Sequence, residues 1–401
     1  MSSPNFRALA AHISQLVEAH DPSSANAPQT LLQLRRAARE LEQQCVPPSE
    51  LEFEFHHRPH QNACVRIAIE LKIFDHLDDD ELIRPSELAA RIDLANPEFT
   101  LRIVRVLCAS GVLGEQQLPS EEIVVHHTAL SKLWRRRPAS QAYAQHQWDN
   151  MVLALSNLVP FLRTRGFQSP DDPSNSPFAY ALGAENVDFF HLLQRYPERL
   201  ASFNQGMTGT ATSVVKIFPF AKLAEVHDSL VCLVDVGGGR GHTTQEILTA
   251  CPELKGTTVV LEDLPAVLEH REDLQVDHTL VQVQPYNFLL DEQPVRGAAA
   301  YLYKSIFHDW PDASCHQILR NLAPAMRGFD SRLLICDLVV GQMASTQPYK
   351  ALRDMNMMIM AGRERTVTDW EALLGKEGFR IVHIWGVENC GNSVIEARLI
   401  S

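Results

Sequence analysis

The chain is organised around residues 230–248, which read Leu-Val-Cys-Leu-Val-Asp-Val-Gly-Gly-Gly-Arg-Gly-His-Thr-Thr-Gln-Glu-Ile-Leu. The pattern predicts a buried strand over Leu230–Val236, a glycine-rich turn over Gly237–Gly241 and then the opening of a helix. A near-continuous apolar run of this length is typical of a central parallel strand that is covered on both faces. The glycines allow a tight turn and let a ligand lie against the backbone. The stretch therefore predicts a cofactor site at the end of a central strand.

The spacing of the glycines separates two classes of ligand. A dinucleotide fingerprint needs Gly-x-Gly-x-x-Gly, but counting from Gly237 and Gly239 the third position is His242. The chain has instead an acid, Asp235, followed by glycines at alternate positions up to Gly241. No phosphate-binding lysine follows the turn, so a P-loop is also excluded.

From the glycine turn onward, segments that favour strands and helices alternate, which predicts a doubly wound α/β sheet. The candidate strands are Leu230–Val236, Thr257–Asp263, Thr279–Pro285, Ala298–Phe307, Ser331–Val340, Phe379–Val387 and Ser393–Ile400. Residues 389–392, Asn-Cys-Gly-Asn, join the last two strands as a hairpin, so the final strand should run antiparallel. A helix is predicted over Pro311–Met326, between the fourth and fifth strands.

The region before the sheet divides into three parts. Residues 1–50 predict two amphipathic helices, the first with Phe6, Leu9, Ile13 and Leu16 on one face; they either pack on a partner subunit or cap their own domain. Residues 51–138 predict a winged helix, with helices over 63–76, 84–91 and 97–108 and a wing around 111–114 and 123–126. Residues 139–215 predict a mostly helical segment that breaks near 169–177, and residues 216–401 form the cofactor domain.

A winged helix raises the hypothesis of a transcription regulator. The third helix carries Arg102 and Arg105, yet Glu98 lies beside them and residues 78–81 form an acidic run. The whole chain has a formal net charge of -13, which argues against a nucleic-acid footprint. Binding to DNA is therefore the weaker hypothesis.

Composition describes an ordinary globular protein of two or three domains. Hydrophobic residues make up 45% of the 401 residues, and neither a signal peptide nor an apolar run long enough to span a membrane is evident. The eight cysteines form no C-x-x-C pair, which favours a reduced, cytoplasmic setting. Residues Phe55–His60 contain three histidines but no carboxylate or cysteine at ligand spacing, so they predict a solvated turn and no metal site.

Polar residues stand at the predicted strand ends, where ligands bind on such sheets. Asp263 ends the second strand and could accept hydrogen bonds from ribose hydroxyls, with Glu262 as the competing choice. Asn287 and Phe288 follow the third strand and suit an adenine edge and face. Further along, the candidates are a possible general base, a neighbouring acid and two acids that could orient the base; these are His308, Asp309, Asp337 and Glu364.

The chain resembles the plant caffeic-acid-type and fungal small-molecule O-methyltransferases, which are class I enzymes dependent on S-adenosylmethionine (SAM). Matching segments besides the winged helix are Phe203-Asn-Gln-Gly-Met207, Asp235 to Gly241, Asp263-Leu-Pro265, His308-Asp-Trp310, Ser331-Arg-Leu-Leu-Ile335 and Arg363-Glu-Arg-Thr366. The resemblance implies a seven-stranded SAM-methyltransferase sheet and a homodimer formed through the N-terminal domain.

The resemblance also implies roles for individual residues. SAM would be bound by the glycine turn and by the strand ends, at Asp235, Gly237, Gly239, Asp263, Asn287, Phe288 and Lys304. His308 would take the proton from a phenol or enol, with Asp337 and Glu364 fixing its tautomer. The acceptor pocket would be lined by Trp148, Phe203, Met207, Met355, Asn356 and Met358, because methionines adapt to irregular apolar shapes.

Two positions depart from the family pattern, and one alternative stays open. Asn287 stands where the family usually has an acid, which should weaken the contact with the adenine amine. Asp337 replaces a longer glutamate, which leaves its contact with His308 open. Some fungal relatives retain SAM but catalyse dehydration or pericyclic reactions, and known cases can lack the histidine that this chain keeps. Methyl transfer is therefore the favoured hypothesis, and the substrate is not identified by sequence.

Overall fold

The computed structural model describes residues 6–24, 26–184, 186–210, 213–225, 231–269, 274–341, 347–386 and 391–400. It divides into two compact units, Met1–Arg136 and Arg137–Ser401. The finer division at residues 50, 138 and 215 stays a prediction. Among the described residues, no helix is long and apolar enough to cross a lipid bilayer.

The first unit consists of helices and one hairpin. Its helices are α1 (Phe6–Glu18), α2 (Ala27–Cys45), α3 (Pro48–Glu70), α4 (Pro85–Ala90), α5 (Pro97–Ala109) and α6 (Ala129–Arg136). Strands β1 (Leu113–Gln117) and β2 (Ile123–His127) pair antiparallel as the wing. Several helices begin at a proline, which is pre-organised for the first helical turn and needs no partner for the missing N–H. The predicted helix α1 and the predicted winged helix are confirmed, whereas what the apolar face of α1 packs against stays a prediction.

Residues Phe55–His60 form no turn, and this prediction was wrong. They lie in the middle of α3, with Pro59 inside the helix. An internal proline costs about 3 kcal/mol, because it removes one hydrogen bond and crowds the preceding turn. The helix continues on both sides of Pro59, and the ring of His57 stacks on that of Phe53, with their centroids 4.0 Å apart. The segment is solvent-exposed, as expected, but helical.

The second unit opens with short helices. These are α7 (Pro138–His146), α8 (Leu153–Ser156), α9 (Leu158–Arg163), α10 (Pro177–Ala181), α11 (Phe189–Gln194) and α12 (Pro197–Thr210). Between α7 and α8 the chain forms a π-helical segment, Gln147–Val152. The predicted helical region with a break near 169–177 is confirmed.

A seven-stranded sheet forms the body of the second unit. The strands of this unit are β3 (Val231–Val236), β4 (Thr258–Asp263), β5 (Val281–Pro285), β6 (Ala300–Lys304), β7 (Arg332–Asp337), β8 (Val339–Val340), β9 (Arg365–Thr366), β10 (Phe379–Trp385) and β11 (Ser393–Leu399). The order in the large sheet is β10-β11-β7-β6-β3-β4-β5, and β11 runs antiparallel to both neighbours. The predicted sheet and its antiparallel last strand are confirmed.

Two predicted strands are shorter than expected. The segment Ala298–Phe307 ends as a strand at Lys304, because Ser305 adopts a positive φ of 55° and turns the chain out of the sheet. The segment Ser331–Val340 is interrupted at Leu338, and its last two residues pair with β9 in a separate two-stranded sheet. Both breaks lie at the carboxyl ends of strands, where the chain leaves the sheet toward the candidate site.

Helices cover both faces of the sheet. They are α13 (His242–Ala250), α14 (Pro265–Leu268), α15 (Asp312–Met326), α16 (Pro348–Met358) and α17 (Val367–Lys376). Side chains alternate along β3: Val234 packs in the cluster that contains α15 and α17, and Leu233 packs in the cluster that contains α13. Because β3, β4, β5 and β6 are parallel, their carboxyl ends meet at one edge.

Candidate active site

The glycine turn lies at that edge. Gly237, Gly239 and Gly241 all have positive φ values, between 60° and 83°, which glycine adopts without a steric penalty. A Cβ atom on Gly237 would lie 2.6 Å from Cδ1 of Ile306. The turn therefore packs tightly against the segment that follows β6, and a larger side chain at Gly237 would have to displace Ile306 and adopt a strained positive φ.

Asp263 and Glu262 point in different directions. The Gly239 N–H donates to Oδ2 of Asp263 over 2.7 Å, so this carboxylate lies against the glycine turn. Glu262 is fully buried, and its Oε2 accepts a hydrogen bond from Gln293 at 2.8 Å. Burial raises the pKa of both carboxyls, that of Glu262 to about 7. Of the two candidates for a ribose contact, the geometry favours Asp263.

Asp235 lies beneath the turn. It is 1% exposed, its Oδ2 accepts a hydrogen bond from the Thr244 hydroxyl at 2.6 Å, and its Oδ1 is buried without a hydrogen-bond partner. Burial raises the pKa of Asp235 to about 6, although the Thr244 hydrogen bond and the charge of nearby Lys304 oppose the rise. An unpartnered buried acceptor is rare in folded proteins and fits a polar ligand group at this position.

The end of β5 presents an amide and a ring. Oδ1 of Asn287 accepts the Leu289 N–H at 3.0 Å, which fixes the turn after the strand. The half-buried ring of Phe288 meets the ring of Trp310 edge to face, with the centroids 6.2 Å apart. Together with the glycine turn, Asp263 and Lys304, these groups offer the hydrogen bonds and the apolar ring face that a nucleoside-type cofactor such as SAM needs.

His308 lies among three carboxylates. It is 3% exposed and sits in the single 3₁₀ turn that follows β6. Its Nδ1 donates to Oε1 of Glu364 at 3.0 Å, while Oδ1 of Asp337 is 3.9 Å from the same nitrogen and Oδ1 of Asp309 is 3.5 Å from Nε2. Glu364 alone makes a hydrogen bond that can fix the ring. Asp337 is fully buried, and both its carboxylate oxygens lack a hydrogen-bond partner.

The three carboxylates control the charge of the imidazole. Burial alone would lower the pKa of His308, but the charges of Asp337, Glu364 and Asp309 outweigh it and raise the pKa to about 9. Burial raises the pKa of Asp337 to about 7 and that of Asp309 to about 6. At neutral pH the imidazole is therefore mainly cationic, and the surrounding carboxylates balance its charge.

Three polar side chains that sequence analysis missed lie close to this cluster. Nε of Arg353 is 3.7 Å from Oε1 of Glu364, and its Nη1 donates to the Tyr143 hydroxyl at 3.3 Å. His146 is 2% exposed and accepts a hydrogen bond from the Asn150 amide on Nδ1 at 2.8 Å. Burial and the charge of Arg353 lower the pKa of His146 to about 4, so its ring is neutral. Arg353 lies about 200 residues from Tyr143 and His146 in sequence, and only the fold brings it to them.

A row of aromatic rings runs from the predicted cofactor residues to the predicted acceptor residues. Trp310 contacts Phe288 on one side and Phe190 on the other, with centroids 6.2 and 6.0 Å apart. Phe190 meets Phe203 at 6.1 Å, and Phe203 meets the ring of His146 at 5.2 Å. Phe203, a predicted acceptor-pocket residue, thus lies in this row of rings. Phe190 was missed because it follows the core residue Phe189 directly in sequence.

The other predicted acceptor residues are spread over three elements. Trp148 is half-buried in the π-helical segment, and Met207 is half-buried on α12, the helix of Phe203. Asn356 and Met358 are half-buried on α16, which also carries Arg353, whereas Met355 on the same helix is 43% exposed. Their contact with an acceptor stays a prediction. Among the described residues, no group of three or more His, Cys, Asp or Glu side chains could hold a metal ion.

Comparison with known proteins identifies the family. Residues 167–380 match the family model of the O-methyltransferase domain, and residues 55–137 match that of the O-methyltransferase dimerisation domain. O-methyltransferase kntB of Aspergillus niger is 31% identical over 343 residues, which cover 84% of this chain and 80% of that protein.

Solved structures agree with this match. The crystal structure of OxaC in complex with SAH and oxaline has a TM-score of 0.84 and 25% identity, and a protein described as a pericyclic reaction enzyme has a TM-score of 0.83 and 26% identity. Each alignment covers 98% of both chains. The chain belongs to the SAM-dependent O-methyltransferases, and its dimerisation domain precedes the methyltransferase domain.

Proposed function

We propose that the protein transfers the methyl group of SAM to the hydroxyl of a phenolic or enolic small molecule of the polyketide type. The observation that carries this proposal is the imidazole of His308, which is hydrogen-bonded to Glu364 and stands at the same strand edge as the glycine turn and Asp263. The name of the Aspergillus niger relative, an O-methyltransferase, supports the same reaction.

The strand ends would hold the cofactor. Asp263 would accept hydrogen bonds from the ribose hydroxyls, and Asn287 with Phe288 would contact the adenine edge and face. Asp235, Lys304 and the glycines at 237 and 239 would line the remainder of the site. When it is bound, SAM supplies a methyl group on a sulfonium, which is already a strong electrophile. The protein's own task is to orient the acceptor and to remove its proton.

His308 is suited to take that proton. A simple phenol has a pKa of about 10, so a base with a pKa of about 9 accepts its proton at a cost of roughly 1 kcal/mol. At pH 7 the neutral ring is present in about one molecule in a hundred, and this fraction rises with pH. Glu364 fixes the tautomer through Nδ1, which leaves Nε2 to accept the proton. Asp337 and Asp309 would stabilise the imidazolium that forms.

The acceptor would lie along the aromatic row. Its pocket would be lined by Phe203 and Met207 of α12, by Trp148, and by Met355, Asn356 and Met358 of α16. Trp310 and Phe190 would also line it, because they belong to the same row of rings. Aromatic and methionine side chains form adaptable apolar walls, which suits a ring-containing acceptor.

The assembly and location of the protein stay part of the proposal. The dimerisation domain supports a homodimer formed through the N-terminal region. A cytoplasmic location fits the free thiols of the seven cysteines that the structure describes.

A second candidate is a pericyclic or dehydration reaction with retained SAM. The similarity to the pericyclic reaction enzyme favours it, and so does the pair of donors formed by Arg353 and the neutral His146, which could polarise a carbonyl. The hydrogen-bonded base favours methyl transfer over a pericyclic step, because a pericyclic step has no acceptor proton to remove. A dehydration does remove a proton, and the mass of its product, lower by one water, distinguishes it from methyl transfer.

The test is incubation with SAM and candidate polyketide phenols or pyridones, followed by mass spectrometry. We expect a gain of one methyl group with release of demethylated cofactor, and a loss of rate on the order of 10²–10⁴ in His308→Gln. His316→Gln is the matched control, because His316 pairs with Glu377 at 3.1 Å outside the site. A product of unchanged mass with SAM intact would refute methyl transfer. Undiminished methylation by His308→Gln would remove His308 as the base.

A further inference from the structure

Arg365 is an arginine without solvent exposure in the middle of the second unit. Its Nη1 donates to the carbonyl of Phe307 at 2.9 Å, and its Nη2 donates to the carbonyl of Trp310 at 3.0 Å. Both Nε and Nη2 donate to Oδ1 of Asp312, at 3.0 and 2.7 Å. The two carbonyls lie immediately before and two residues after His308. The guanidinium therefore spans the turn that carries the imidazole.

The chemistry of the turn explains why an arginine stands there. Buried carbonyls need hydrogen-bond partners, and the other partners of these two are long or weak. The Phe307 carbonyl accepts the Trp310 N–H and the Cys315 thiol, both at 3.3 Å, and the Trp310 carbonyl accepts the same thiol at 3.4 Å. The guanidinium adds the shorter, charge-assisted hydrogen bond to each. A guanidinium presents several donors in a rigid planar fork, which can reach two carbonyls and a carboxylate at once. Its charge is balanced by Asp312, and its plane lies over the ring of Trp370 at 5.3 Å. A lysine has a single ammonium and could not make these contacts together.

The neighbouring residues of Arg365 hold the same histidine. The side chain of Glu364 accepts the hydrogen bond from the His308 ring, and the N–H of Arg363 donates to the His308 carbonyl at 2.9 Å. At Gly362 the backbones approach so closely that a Cβ atom would lie 2.2 Å from the His308 oxygen. The segment 362–365 thus fixes both the ring and the backbone of His308.

We propose that Arg365 is a positioning residue. It clamps the turn at Phe307 and Trp310, so that the imidazole of His308 keeps its hydrogen bond to Glu364. The expected effect on catalysis rests on the proposed methyl transfer, but the positioning of the ring does not. Whether the contact between the His308 ring and Glu364 depends on Arg365 can be measured in the absence of any methyl transfer.

Arg363 provides a matched control. Its Nη1 also pairs with Asp312, at 3.4 Å, but its side chain is 46% exposed. Its contact with His308 is made by its backbone N–H, which a substitution of the side chain retains. Arg363→Ala therefore removes an arginine from the same aspartate and leaves the clamp on the turn intact.

The experiment compares Arg365→Lys, Gly362→Ala and Arg363→Ala with the wild type. The ring of His308 is followed by NMR of histidine-labelled protein across pH 5–10, with His308→Gln to assign its signal. The charged groups that face the ring, namely Asp309, Asp337, Glu364 and Arg353, are kept in all variants. Arg365→Lys should lower the pKa of His308 toward its ordinary value, because a displaced ring loses its close carboxylate. Its kcat should fall about 10²-fold with KM and SAM affinity near wild type, since a displacement of about 1 Å has that effect.

Each outcome decides the proposal. Arg363→Ala should leave both the titration of His308 and kcat unchanged. Gly362→Ala displaces the same turn and leaves the guanidinium of Arg365 in place, so it should reproduce the changes in the titration and in kcat even if Arg365→Lys fails to fold. A folded Arg365→Lys with an unchanged His308 titration would overturn the proposal, as would a lower Tm with no change in kcat or titration. Absence of methyl transfer in the wild type would refute the proposed function instead, and the NMR titration would still decide the role of Arg365.

Discussion

Glu364→Gln tests whether the carboxylates around His308 set its pKa. The substitution keeps the shape of the side chain but removes the negative charge whose oxygen lies 3.0 Å from Nδ1. The pKa of His308 stands at about 9 against an ordinary 6.5. One pKa unit corresponds to about 1.4 kcal/mol, so the surroundings favour the imidazolium by roughly 3 kcal/mol in all.

The expected size of the change follows from the geometry. Three carboxylates raise the pKa, with the charge of Asp337 foremost, and Glu364 adds a hydrogen bond to its own charge. Because together they also overcome the effect of burial, their sum exceeds the net of roughly 3 kcal/mol, and removing the charge of Glu364 should lower the pKa of His308 by about one unit. A base must be neutral to act, so the wild-type rate should rise with pH and level off above about 9. The variant should level off at a lower pH and at a lower plateau, because a neutral amide oxygen accepts the Nδ1–H more weakly than a carboxylate does and stabilises the imidazolium less.

The assay is the pH dependence of kcat/KM for SAM, which reports groups of the free enzyme, together with NMR titration of the labelled histidine ring. Glu377→Gln is the matched control, because Glu377 pairs with His316 at 3.1 Å, away from the site. It should leave the profile unchanged. A midpoint for Glu364→Gln that stays in place, or moves to higher pH, would refute the electrostatic argument.

Two further predictions concern the cofactor and the assembly. Asp263→Ala should weaken SAM binding by roughly 2 kcal/mol in calorimetric titration, because charge-assisted hydrogen bonds are lost, whereas Glu262→Gln should leave it unchanged since that side chain faces Gln293; the opposite ranking would move the ribose contact to Glu262. Light scattering should report about twice the chain mass of 45.0 kDa, and a monomer at micromolar concentration would contradict the homodimer.

The sheet was predictable because its signals are local. An apolar run such as Val231–Val236 marks a buried strand wherever it occurs, and the glycine turn after it marks the edge where ligands bind. The antiparallel last strand followed from the short connection before Ser393. Strand ends were less predictable. Lys304 ends β6 because Ser305 adopts a positive φ, and a serine in the sequence does not indicate this conformation.

The sequence proposed the residues of the candidate site, but it did not predict the contacts between them. It placed His308, Asp337 and Glu364 near one another and left open whether the shorter Asp337 reaches the ring. The structure gives the hydrogen bond to Glu364 and leaves Asp337 at 3.9 Å, since the shorter aspartate does not reach the ring. The contact of Arg353 with Tyr143 joins residues 210 positions apart, and no local pattern reports such a pair.

The charges of the cluster bear on the choice between methyl transfer and a pericyclic reaction. Asp309, Asp337 and Glu364 carry up to three negative charges, against one on Arg353 and one on protonated His308. The cluster is therefore at most one charge negative, and less so at neutral pH because the pKa of Asp337 is about 7. A negatively charged cluster favours a cationic sulfonium nearby under either hypothesis, so the net charge does not distinguish methyl transfer from a pericyclic reaction. The hydrogen bond between Glu364 and His308 does. Burying an ion pair costs desolvation free energy, and a catalyst that only polarises a carbonyl needs no base whose pKa approaches that of a phenol. An oriented imidazole of this strength is what proton removal from a hydroxyl requires, and it is the feature that the pericyclic hypothesis leaves without a purpose.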